Sequence, residues 1–104
     1  MKKTFVILLF FVAFLSGCSK DNANDNYSPT CSGTAKSYKT DVAPLIQTYC
    51  AGCHSNYSSW TALSSSRSSV RSTIVNGSMP QGKTLTNAQK DAIICWIDNG
   101  AANN

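Results

Sequence analysis

The sequence predicts an all-α domain, and three observations carry that reading. Val42, Leu45, Ile46 and Tyr49 fall at i, i+3, i+4 and i+7, the apolar stripe of an amphipathic helix over 41–50. Thr86, followed three residues later by Gln89, has the capping-box form and opens a second such helix, with Ala92, Ile93, Trp96 and Ile97 as its buried stripe. No strand-rich βαβ pattern surrounds either of them.

The elements follow in chain order. Asp41 is placed to act as the N-cap of the first helix, and Pro44 falls in its first turn, where a missing N–H costs little. This helix delivers Cys50 at its C-terminal end, and Gly52 stands where the chain must leave it. Residues 56–69 are rich in serine, with Tyr57, Trp60 and Leu63 at three-residue spacing, the mark of a short helix or turn. Val70, Ile74 and Val75 define a further helix that Asn76-Gly77 stops. Ser78 to Gly82 is irregular chain carrying Met79-Pro80. The last helix closes at Asn99-Gly100. Its Trp96 is expected to pack on the first helix around Tyr49, and the polar tail Ala101 to Asn104 to fray.

The N-terminal end has a different character. Lys2 and Lys3 precede an unbroken apolar run from Phe5 to Leu15, too short for a bilayer span of about twenty residues but suited to the core of an export signal. Leu15-Ser16-Gly17-Cys18 resembles the lipobox of bacterial lipoproteins, which implies cleavage after residue 17 and acylation of Cys18. Acyl chains contribute about 0.8 kcal/mol per buried CH₂, so a multiply acylated cysteine anchors a chain without a transmembrane helix. The expected location is the bacterial cell envelope, lipid-anchored on its periplasmic or cell-surface side. Residues 18–30, dominated by Asn, Asp and Ser, read as a flexible tether, and 31–104 as the folded domain. Loss of residues 1–17 takes two lysines from nine Lys+Arg, leaving seven against five acids. A chain so nearly neutral gives no basis for nucleic-acid binding.

Chemistry concentrates in Cys50-Ala51-Gly52-Cys53-His54. Two cysteines at this spacing can each add a thiol across a vinyl group of haem, and the adjoining His54 can then coordinate the iron. A thioredoxin-like dithiol calls for a βαβ setting, and structural zinc for a second ligand pair that Cys31 and Cys95, far apart, do not form in sequence. Met79 is the candidate sixth ligand by elimination, because the chain after residue 17 holds one histidine and one methionine. The alternative is a methionine that fills space beside the cofactor. Trp60 is expected to wall the haem pocket. Its indole N–H, Arg67 or Arg71 is a candidate donor to a propionate, the alternative for both arginines being a solvated surface.

An N-terminal helix leading into Cys-x-x-Cys-His, a downstream Gly-x-Met-Pro and a terminal helix with a buried aromatic together resemble a small class I c-type cytochrome of the single-haem, bacterial lipoprotein type. The resemblance covers about Tyr38 to Ala102. It implies a cytochrome c-like fold of three to four helices around one covalently bound haem c, the first and last helices crossing. It also implies a membrane-tethered electron carrier that meets redox protein donors and acceptors, with no small-molecule substrate and no enzymatic activity. The competing class is a haem enzyme or gas-binding module with an open or weakly filled sixth position. A structural lipoprotein with a fortuitous motif is a third reading. Two departures from the family stand out: the serine-rich run 64–69, and the cysteines at 31 and 95. With Cys18 assigned to lipid and Cys50 and Cys53 to haem, Cys31 and Cys95 remain as the possible disulfide in an oxidising compartment, the alternative being two unpaired thiols.

Overall fold

A computed structural model describes residues 27–104; the expected export signal, Cys18 as the expected acylation site and most of the expected tether lie outside the described residues. A π-helical turn, Tyr38–Val42, runs directly into α1, Ala43–Tyr49. A 3₁₀ turn, Ser55–Ser58, precedes α2, Trp60–Ser65, and α3, Arg67–Val75, follows with only Ser66 between them. The chain then runs irregularly to α4, Asn87–Asp98. No strand occurs among the described residues, and the all-α class stands.

The first helical segment begins three residues earlier than its apolar stripe indicates, and Pro44 supplies the reason. Proline has no N–H and its ring crowds the carbonyl four residues back, so an α-turn cannot continue through it undisturbed. The wider π turn relieves that conflict: the Val42 N–H donates to the Ser37 carbonyl at 3.2 Å, and Ala43 donates to Tyr38. Asp41 is therefore inside the helix and not its N-cap. Its carboxylate instead reaches back to accept from the Ser37 N–H at 2.8 Å.

What caps this segment is the C-terminal tail, which does not fray. The Asn104 side chain accepts from the Tyr38 N–H at 2.8 Å, and its main-chain oxygen accepts from the Lys39 N–H at 3.1 Å and the Ser37 hydroxyl at 2.6 Å. Helix N-termini leave their first N–H groups without intrahelical partners, and here residues 66 positions on provide them. Two indoles hold the tail in place. Trp60 Nε1 donates to the Ala101 carbonyl at 2.9 Å and Trp96 Nε1 to the Ala102 carbonyl at 2.8 Å, with Ala101 only 2% exposed. Trp60 thus braces the terminus and does not wall the cleft described below. Trp96 does reach the first helical segment, but against Tyr38 (ring centroids 5.6 Å apart) rather than Tyr49.

Helix α4 forms as its sequence indicates. The Gln89 N–H donates to the Thr86 hydroxyl at 3.2 Å, while the Gln89 side chain accepts from the Thr86 N–H at 2.9 Å, a reciprocal box that satisfies two end groups at once. Beyond the expected stripe it also buries Ile94 completely and Lys90 to 4% exposure. Lys90, with its neighbour Asp91, reaches Tyr27, which was expected to lie in the tether. Tyr27 is buried, donates its hydroxyl to the Asp91 carboxylate and lies under the Lys90 ammonium, 4.8 Å from ring centre to nitrogen. Burial first, and the Asp91 carboxylate second, push the phenol well above its usual range. Ordered packing therefore starts at least four residues before Cys31. Cys31 and Cys95 form a disulfide, Cα–Cα 5.4 Å, across a sequence separation of 64.

Candidate functional site

A cleft of about 310 Å³ opens between the segment after α1, one face of α3 and the irregular chain before α4. Its cysteines and its imidazole come from the first of these. The Cys50 N–H ends α1 by donating to Ile46 at 2.9 Å, and Ala51 donates to the same carbonyl at 2.8 Å. The Cys50 carbonyl in turn accepts from the Cys53 N–H at 3.2 Å and the His54 N–H at 2.9 Å, closing a tight turn that sets Cys50, Cys53 and His54 along one wall. Gly52 shows no left-handed φ, and a Cβ built on it meets nothing within 4 Å, so the turn does not depend on glycine there.

The opposite wall is legible once the helical period of α3 is counted. Ser69, Val70, Thr73 and Ile74 lie on one face, and all four line the cleft. Asn76 ends this helix and Gly77 follows at φ +79°, a left-handed turn that favours glycine. The returning chain is pinned when the Met79 N–H donates to the Thr73 carbonyl at 3.1 Å. Met79, Pro80, Gln81 and Leu85 then complete the lining, with Gly82 making a second left-handed turn at φ +71°. Cys50, Cys53, His54 and Met79, separated by up to 29 positions, thus share one cavity.

The cleft is apolar where it is deepest and carries no charged side chain among its lining residues. Arg67 and Arg71 are elsewhere: Arg67 donates to the Ser64 carbonyl, and Arg71 makes a two-pronged pair with Asp98 at 2.7 and 3.0 Å. The cation near the cleft is Lys83, which the sequence did not single out. Its ammonium donates to the Thr48 carbonyl at the end of α1 at 2.6 Å and lies 6.0 Å from the centre of the Tyr49 ring. Burial raises the Cys50 thiol above its ordinary range, and the Lys83 charge partly offsets this. Cys50 is a free thiol, whereas Cys53, at the rim, is disulfide-bonded.

The donor set discriminates between kinds of metal site. Among the described residues no three His, Cys, Asp or Glu side chains gather to hold a bare ion. The His54 imidazole, the Met79 thioether and the free Cys50 thiol are fewer donors than a bare ion takes, whereas a metal that brings its own ring of donors, as in a porphyrin, would need only two from the chain. The cavity volume lies at the low end of the roughly 300–1,000 Å³ typical of small-molecule sites, so a macrocycle held here would leave an edge outside. No protein-family model, curated protein or solved structure matches this chain.

Proposed function

We propose that this chain is an electron-transfer protein of the c-type cytochrome kind, in which Cys50 and Cys53 would hold one covalent haem c and His54 and Met79 would be the protein ligands of its iron. What supports the reading is the sharing of one apolar cleft by Cys50, Cys53, His54 and Met79, residues drawn from two separate segments of the chain. When bound, the haem supplies a one-electron ferrous/ferric couple. The chain's own residues do the rest. Cys50 and Cys53 would each add a thiol S–H across a carbon–carbon double bond of the haem, the sulfur bonding one carbon and the hydrogen the other. Cys53 is disulfide-bonded here, so two equivalents of an external thiol would first reduce that bond to two thiols and be joined as a disulfide themselves. His54 and Met79 present a nitrogen and a soft sulfur, and the Met79 thioether favours the reduced metal. Val70, Ile74 and Leu85 keep water from the inner wall. The exposed edge at the cleft mouth is where redox protein donors and acceptors dock, and lipidation of Cys18 holds the chain in the bacterial envelope.

Protein exported with haem-attachment machinery is expected to keep its colour and a haem's added mass after acid denaturation. A colourless chain with no added mass overturns the proposal. Met79→Ala is expected to retain the covalent haem, lose the weak sulfur-to-iron absorption band, lower the potential and admit carbon monoxide. Ready carbon monoxide binding by the unaltered protein instead supports the open-site enzyme or gas-binding reading.

A further inference from the structure

His54 and Tyr57 are joined by the geometry of the short turn that carries them. The Tyr57 N–H donates to the His54 carbonyl at 2.9 Å, opening the 3₁₀ turn Ser55–Ser58. With three residues per turn, side chains three positions apart eclipse each other, unlike the staggered neighbours of an α-helix. The two rings accordingly lie face to face, with centroids 4.8 Å apart and planes 18° from parallel. That contact is in the range of favourable ring stacking. Both residues are half-buried and both line the cleft.

We infer that Tyr57 is a positioning residue for His54: stacked on one face of the imidazole, it sets the plane in which that ring meets a metal in the cleft. The inference rests on the haem reading above. An imidazole on irregular chain rotates about two side-chain bonds, and ordering it costs entropy each time a ligand forms. Here that cost is met during folding. The phenyl face provides the stack, so the hydroxyl is dispensable and an aromatic ring is not.

The test compares Tyr57→Phe and Tyr57→Leu in the full, haem-loaded chain, with covalent attachment read by mass and the ferric state by electron paramagnetic resonance, which reports the orientation of the axial imidazole. Y57F is expected to match the unaltered protein. Y57L is expected to shift the largest g value and broaden the line at unchanged haem content. A haem-loaded Y57L with the unaltered signal, even with a lower denaturation midpoint, overturns the positioning role while leaving the haem reading intact. Absence of haem from the unaltered chain overturns both. If Y57L does not fold, the unaltered ferrous protein decides: a nuclear Overhauser contact between the His54 and Tyr57 ring protons is expected, and its absence overturns the inference.

Discussion

The two ends of this domain are built on opposite terms. At the tail end, each polar group that is buried meets another part of the same chain: Trp60 and Trp96 donate to the terminal carbonyls, Asn104 caps the first helix, and Tyr27 meets Asp91. At the cleft end, Cys50, His54, Tyr57 and Met79 remain half-buried around an apolar hollow. The first region is held by hydrogen bonds within the chain, and the second leaves an apolar hollow of about 310 Å³. Stability is thus concentrated away from the chemistry, so substitutions in the two regions are expected to change different observables.

The largest effect is expected from Trp96→Ala. Trp96 is 1% exposed, packs at a tilt against Tyr38 and supplies the indole bond to Ala102. Truncating a buried tryptophan typically costs about 3–5 kcal/mol, a large share of the stability of so small a domain. Chemical denaturation is expected to show a collapse of the midpoint; a loss below about 1 kcal/mol would show that the clasp contributes little.

Removing the disulfide comes next. Replacing Cys31 and Cys95 together with serine releases a loop spanning a sequence separation of 64, expected to cost about 2–4 kcal/mol. Because the bridge lies at the α4 side and neither cysteine lines the cleft, haem content per folded molecule is expected to stay unchanged. Equal loss of both would mean that the two regions are not separable.

Gly77→Ala addresses the cleft from the other direction. At φ +79° an added Cβ is expected to cost about 1–2 kcal/mol, less than either change at the tail end. Its spectral effect is expected to be larger than its thermal one, since Gly77 sets the course of the chain to Met79. In haem-loaded protein the sulfur-to-iron band is expected to weaken while the denaturation midpoint falls only modestly. An unchanged band would show that Met79 is placed by its bond to Thr73 alone.

The smallest effect is electrostatic. The Arg71 guanidinium, by hydrogen bond and charge, holds the Asp98 carboxyl below its usual range. A depressed folded pKa contributes stability that is fully present above the carboxyl's ordinary value and is lost as pH falls through the lower folded one. Both side chains are about 40% exposed, so solvent screens most of the attraction. Asp98→Asn is expected to change the midpoint slightly at neutral pH and low salt, and not at all in molar salt, where the Debye length is about 3 Å. A salt-independent loss would locate the role of Asp98 in packing.

Local pattern determined a good deal of this protein. The capping box at Thr86 and Gln89, the stop at Asn76-Gly77 and the cluster at Cys50 to His54 depend on residues close in sequence and were legible there. The pairing of Cys31 with Cys95 came from a count that set Cys53 aside for haem, whereas Cys53 is disulfide-bonded in the structure. Pro44 was visible too, but its consequence, a π turn that moves the helix start back to Tyr38, came from the ring's conflict with the preceding turn. Tertiary structure decided what pairs at long range. Asn104 looks like a frayed terminus, Tyr27 like part of a tether and Trp60 like a cofactor wall until the fold brings each to its hydrogen-bond partner. Composition reports average polarity, whereas a hydrogen bond between residues 66 positions apart depends on where the chain has travelled. The same reason hid the far wall of the cleft: Val70 and Ile74 read as ordinary core, and only the return of the chain through Gly77 sets them across from His54 and beside Met79.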